Sequence, residues 1–187
     1  MVHLMDELII FLAISAVLAF LSRASLRFPR SHGFYRFFAA ELVIALVLVN
    51  LGHWFEDPFA PHQVVSWLLL IISLILVVTG ALLLKIVGKP GGARTSEVPL
   101  AGIEKTTKLV TEGVYRYIRH PLYASGFYGT WGVFFKDPSW LGIVLALGST
   151  GFWIVAARIE EGECLRYFGA PYREYVRRTK MFVPFLF

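Results

Sequence analysis

Apolar residues in this chain fall in long blocks, not in the spaced stripes of a water-soluble helix or the alternation of a half-buried strand. Blocks at 8–21, 37–54, 64–87, 122–135 and 140–157 approach the roughly 20 residues with which a helix crosses about 30 Å of hydrocarbon. The first and fourth are short and are expected to recruit flanking aromatics or tilt little. In lipid every backbone amide must be satisfied within the protein, so only helices and closed barrels can span. Barrel strands alternate and these blocks do not, so a barrel is excluded. A composition of 57% hydrophobic and 17% charged residues is likewise too apolar for an ordinary soluble domain. The expected fold is all-α: five transmembrane helices and a C-terminal interfacial helix in one domain over 1–187, with 1–87 as a three-helix membrane part.

The cations orient this bundle. Of the 18 Lys and Arg residues, 17 fall in the segment after the first block, the segment after the third, and the tail. Five spans put those three segments on one side, whereas the opposite loops carry Glu56-Asp57 and Lys136-Asp137. Basic loops remain cytoplasmic, so the N-terminus is expected outside and the C-terminus inside. The net charge of +5 is then a topology signal with some attraction to anionic lipid, and it requires no nucleic acid. The first block is a poor cleavable signal, because acidic residues precede it and arginines follow it. Cys164 is the only cysteine, which rules out an intrachain disulfide or a cysteine-rich zinc site. Nothing in the sequence specifies an oligomer.

Residues 88–113 form the longest polar stretch, and their Gly-Lys-Pro-Gly-Gly start lacks the order of a phosphate loop. Asp137-Pro138-Ser139 reads as a turn, which makes the last two blocks a hairpin. The hairpin would bring Arg119-His120-Pro121 and Glu160-Glu161 to one membrane face. Pro121 fixes its own φ and pushes His120 out of helical geometry. As plain anchors, Tyr115, Tyr117 and Tyr123 would lie in the aromatic belt with Arg116 and Arg119 reaching headgroups. As a site, His120 and nearby amides would meet a carboxylate. Glu160 and Glu161 would pair with arginines or hold an ammonium group. Glu163 is expected further out towards water. Gly126, Gly129 and Gly132 read as close helix packing, or as room for a flat ring. His53 and His62, beside Glu56 and Asp57, read as solvated loop residues, and no metal site is assigned. Gly169-Ala170-Pro171 should break the fifth helix and start an amphipathic one bearing Tyr172, Tyr175 and Val176 on one side.

Together the clusters ask for a ligand with a carboxylate, an ammonium group and an aromatic base, which S-adenosylmethionine combines. The run Lys108-Leu109-Val110-Thr111-Glu112-Gly113-Val114-Tyr115, then Arg119-His120-Pro121-Leu122-Tyr123, Glu160-Glu161, and Phe168-Gly169-Ala170-Pro171-Tyr172-Arg173-Glu174-Tyr175 resembles the isoprenylcysteine carboxyl methyltransferases and their phospholipid-methyltransferase relatives. The resemblance covers about 105–187, which becomes the expected catalytic part. It implies an S-adenosylmethionine-dependent membrane methyltransferase acting on a lipophilic substrate that enters from the bilayer. Carried over by position, Leu109, Val110, Tyr115, Arg119, His120, Pro121, Tyr123 and Glu160 would bind cofactor. Glu160, Glu161 and Arg158 are the candidates nearest the chemistry. One departure stands out: where the carboxyl methyltransferases place an arginine, four residues before the first glutamate, this chain has Ala156. Arg158 lies about 200° round the helix from it. An amine, thiol or phenol acceptor is therefore expected over a carboxylate. The alternatives to a methyltransferase are an NADPH-dependent sterol-type reductase and a membrane scaffold.

Overall fold

The computed structural model describes residues 2–91 and 105–187, with side chains described from residue 5 onward. It is helical. The elements are α1 (Val2–Leu26), α2 (His32–Val49), α3 (Pro61–Ile86), α4 (Pro121–Phe134), α5 (Trp140–Phe168) and α6 (Ala170–Arg178). Short 3-10 turns occupy Leu51–His53 and Gly113–Arg116. Among the described residues no strand forms, and extended pairing is limited to isolated bridges at Pro90–Thr106 and Ile118–Lys180.

Each helix starts where local chemistry allows. Ser31 caps α2, its hydroxyl accepting from the Phe34 amide at 3.2 Å, so α2 begins five residues before the apolar block. Pro61 and Pro121 open α3 and α4 in the first turn, where a missing N–H costs nothing. Ser139 caps α5 by accepting from the Gly142 amide at 3.1 Å.

Four helices, α1, α2, α3 and α5, are long and apolar enough to cross a membrane. The fourth expected span is α4, whose 14 residues cover about 21 Å at 1.5 Å per residue. The expected shortness of the first span is corrected: α1 runs 25 residues, because backbone hydrogen bonding carries the helix through Asp6-Glu7 and Ser22-Arg23 on either side of the block.

Helix α2 packs on α5, α3 on α4, α4 on α5, and α1 on α2. The approach is close because the contacts are small. Ala39, Ala124, Ala156 and Ala157 are all fully buried around Trp153 and Tyr123. The glycines of α4 serve packing. A Cβ on Gly126 would come within 2.6 Å of Trp153, and one on Gly132 within 2.8 Å of Leu70. The outer faces of α1 and α3 expose Leu8, Leu12, Leu68 and Ile71, as lipid-facing helices must. Within the apolar layer Ser15 donates to Glu41 at 2.5 Å, joining α1 to α2.

The end carrying the α4–α5 turn is closed by polar groups. Asn50 donates to the Val133 carbonyl at 2.8 Å. Lys136, read from sequence as a loop charge, is instead 1% exposed. Its ammonium group donates to Gln63 at 3.1 Å and lies 3.5 Å from the Trp67 ring centre. His53 lies 3.8 Å from Glu56 and 4.0 Å from Asp137.

Candidate active site

At the opposite end of the hairpin, three chain segments converge. The first is the stretch that leads into α4. His120 occupies the cap position of α4 with φ −125° and ψ 62°, outside helical geometry, as the following proline requires. The second is the last third of α5, which continues past the apolar block to Phe168 and carries Glu160, Glu161, Glu163 and Cys164. The third is the tail. Gly169 turns the chain at φ +63°, a conformation glycine adopts without a Cβ clash, and α6 then folds back.

Backbone pairing locks the tail against the first segment. Arg119 N–H donates to the Lys180 carbonyl at 2.8 Å, His120 N–H to that of Met181 at 3.3 Å, and Lys180 N–H to that of Tyr117 at 3.1 Å. The Tyr175 hydroxyl donates to the Tyr115 carbonyl at 2.7 Å. These bonds fix the backbone of His120 against the tail.

The hairpin brings the two polar clusters into contact. His120 Nδ1 lies 3.4 Å from Glu160 Oε2, and Nε2 lies 3.3 Å from Glu161 Oε1. Arg119 also pairs with Glu161 through Nε, and donates from a terminal nitrogen to the Thr179 carbonyl at 3.0 Å. Burial by itself lowers the His120 pKa, but the two carboxylates outweigh it and raise it above the ordinary imidazole value. The ring lies between two carboxyl groups that favour its protonated form. Burial also pushes the phenols of Tyr115, Tyr172 and Tyr175 upward, keeping them neutral.

A cavity of about 350 Å³ opens beside this network. All eight residues expected to bind cofactor line it: Leu109, Val110, Tyr115, Arg119, His120, Pro121, Tyr123 and Glu160. Of the tyrosines read alternatively as membrane anchors, Tyr115 and Tyr123 are buried in its wall, and only Tyr117 is exposed. Glu161 and Arg158 do not line it. They line a second cleft together with Arg119, Arg177 and Arg178. Glu163 does not point to water. It is buried and accepts from His32 Nδ1 at 3.0 Å, because α2 covers that side of α5.

Several lining residues escaped the sequence reading. Arg36 of α2 reaches the cavity, as do Val77, Ala81 and Leu84 of α3. These come from the half of the chain legible only as hydropathy. Tyr172 and Tyr175 had a signal, the buried stripe of an amphipathic helix. That stripe faces the cavity and Cys164 rather than lipid. Ala156, standing where an arginine was expected, is fully buried against the α2 side of the bundle. Arg36 brings a cation to the cavity wall from a different helix. Residues 92–104 of the long polar stretch lie outside the described residues.

The cavity's chemistry fits an S-adenosylmethionine-type ligand. Arg36 and Arg119 answer a carboxylate, Glu160 an ammonium group, and the aromatic faces of Tyr115, Tyr123, Trp153 and Tyr172 a flat base and a cationic sulfur. Its volume lies within the range of small-molecule sites, about 300–1,000 Å³.

Comparison with known proteins points to methyl transfer. The "Probable protein-S-isoprenylcysteine O-methyltransferase" of Oryza sativa subsp. indica is 29% identical over 150 residues, covering 78% of this chain and 77% of the relative. The protein-S-isoprenylcysteine O-methyltransferase of Rattus norvegicus is 32% identical over 149 residues, covering 78% of this chain and 52% of its own length. Methanethiol S-methyltransferase 2 of Bradyrhizobium diazoefficiens is 33% identical over 97 residues, covering 51% of this chain and 37% of that protein. No solved structure matches the chain. The family profile for phospholipid methyltransferases matches residues 61–170, from the start of α3 to the start of α6, and the chain belongs to that family.

Proposed function

We propose that this integral membrane methyltransferase uses S-adenosylmethionine to methylate a lipophilic acceptor at the cytoplasmic interface, within the cavity at the α4–α5 junction. The observation that carries the reading is the meeting of His120 with Glu160 and Glu161 at the mouth of a largely apolar cavity. S-adenosylmethionine supplies an electrophilic methyl group on a sulfonium.

The chain's own residues bind, orient and exclude water. Glu160 is the anion for the ammonium end, and His120 holds it in position through Nδ1. Arg36 and Arg119 are the cations that line the cavity and would meet a carboxylate; Arg119 also pairs with Glu161. Leu109, Val110 and Tyr115 form an apolar wall suited to the base. Val77, Ala81, Leu84 and Leu122 come from α3 and α4 and offer the acceptor an apolar approach from the bilayer side. Methyl transfer is an in-line displacement, so most acceleration comes from positioning the nucleophile. An acceptor that arrives protonated needs a base. Glu160 is committed to the ammonium end and Glu161 to Arg119 and His120, so such a proton would pass to water. The acceptor atom is O, N or S.

Calorimetry on detergent-purified protein with S-adenosylhomocysteine and, separately, NADPH tests the cofactor. Binding of the first alone is expected, and binding of NADPH alone would overturn the proposal. Transfer of labelled methyl to acetyl-farnesylcysteine, a long-chain thiol and a long-chain amine then identifies the acceptor.

A further inference from the structure

The second cleft lies across Arg119 from the cofactor cavity. Five cations line it, Arg119, Arg158, Arg177, Arg178 and Lys180, against one acidic side chain, Glu161. That carboxylate is already held by Arg119 and His120. Among the described residues no carboxylate pairs with Arg158, Arg177, Arg178 or Lys180. Four cations gathered from α5, α6 and the segment after it repel one another unless an anion is present. All four are exposed, so an anion can reach them.

The rim of this cleft is apolar. Leu186 and Phe187 line it, and Leu186 is 78% exposed. Phe185 beside them is 81% exposed and is held outward by a left-handed backbone at φ +67°, an unfavourable conformation for an aromatic residue. Its ring packs edge-on against the exposed Tyr117 at 6.2 Å. Guanidinium forks match phosphate geometry. Exposed aromatic and aliphatic side chains beside a cationic cluster are the signature of a surface that enters the headgroup layer. A soluble phosphate would gain nothing from that rim.

We propose that this cleft binds the phosphate of an anionic membrane lipid, with Phe185 and Leu186 in the adjoining acyl region. The site is distinct from the cavity that would take cofactor and acceptor, and the proposal does not depend on methyl transfer. Arg119 borders both spaces, so an occupied cleft would brace the Arg119–Glu161–His120 network from behind.

Native mass spectrometry of the full chain in detergent, titrated with dioctanoyl phosphatidylglycerol or dioctanoyl phosphatidylcholine, tests it. The anionic lipid is expected to bind at least about tenfold more tightly, since each interfacial cation is worth roughly a factor of five. Arg158→Gln, and separately the pair Arg177→Gln and Arg178→Gln, should each weaken phosphatidylglycerol and leave phosphatidylcholine unchanged. These side chains are exposed, and a thermal melt identifies any variant that misfolds, leaving the other to decide. Equal affinity for the two lipids, or folded variants that retain wild-type affinity for phosphatidylglycerol, would overturn the proposal. Inorganic phosphate competing as strongly as the lipid would make this a site for a soluble anion and overturn it as well.

Discussion

Replacing Glu160 with glutamine tests the cofactor site with least disturbance. The substitution keeps shape and removes charge. In the wild type the carboxylate lies 3.4 Å from His120 Nδ1, and its side chain is 23% exposed, so its field is only partly screened by water. A charge-assisted hydrogen bond in such a setting is worth about 1.5–3 kcal/mol. Losing it should weaken S-adenosylhomocysteine roughly ten- to a hundredfold. His120→Ala should act in the same direction, because Glu160 then loses the group that orients it. Isothermal calorimetry on detergent-purified protein measures both. Glu163→Gln is the internal comparison, one turn along the same helix. Glu163 is 8% exposed and bonded to the fully buried His32. Its loss should lower Tm while leaving ligand affinity in the folded protein intact. Wild-type affinity in both Glu160→Gln and His120→Ala, with unchanged Tm, would refute the assignment of this cavity to the cofactor.

Three further outcomes follow from the same geometry. The His120 pKa is raised on folding, so its stabilising contribution is complete below the unfolded value of about 6.5 and is lost as pH rises through the folded value above it. Tm should therefore decline as pH is raised above that unfolded value, and this decline should be smaller in His120→Gln. Gly126→Ala places a methyl 2.6 Å from Trp153 and should destabilise by about 1–3 kcal/mol, read as a lowered Tm. A reporter fused after Phe187 should be cytoplasmic and one at Ala60 external. Cytoplasmic labelling at Ala60 would show that the spans have been miscounted.

Membrane insertion and helical class were readable in one dimension because partitioning into lipid is a sum over side chains. An apolar block is costly in water whatever surrounds it, and a run of arginines is costly in hydrocarbon for the same reason. The pairing of His120 with the glutamates was also within reach, because a proline-started helix and a short turn leave one antiparallel arrangement. Helix lengths were less legible. Apolar blocks mark what lipid covers, whereas backbone hydrogen bonding carried α1 to 25 residues, and Pro121 and the turn at Lys136 held α4 to 14.

The cavity's composition was decided by packing. Arg36, Val77 and Leu84 come to it from helices whose sequences spell only hydrophobicity, and no spacing rule connects them to Glu160. Whether Glu163 meets water depends on α2 lying over α5, which depends in turn on Ala39 and Ala156 being small enough to let the helices touch. Arg158, Arg177 and Arg178 gather in one cleft because residues 117–120 pair through their backbone with 179–181, sixty residues later. The sequence by itself determined which segments enter the membrane, since that free energy is local. The tertiary structure decided which side chains face one another, since contact is a property of two surfaces and neither is written in the other's sequence.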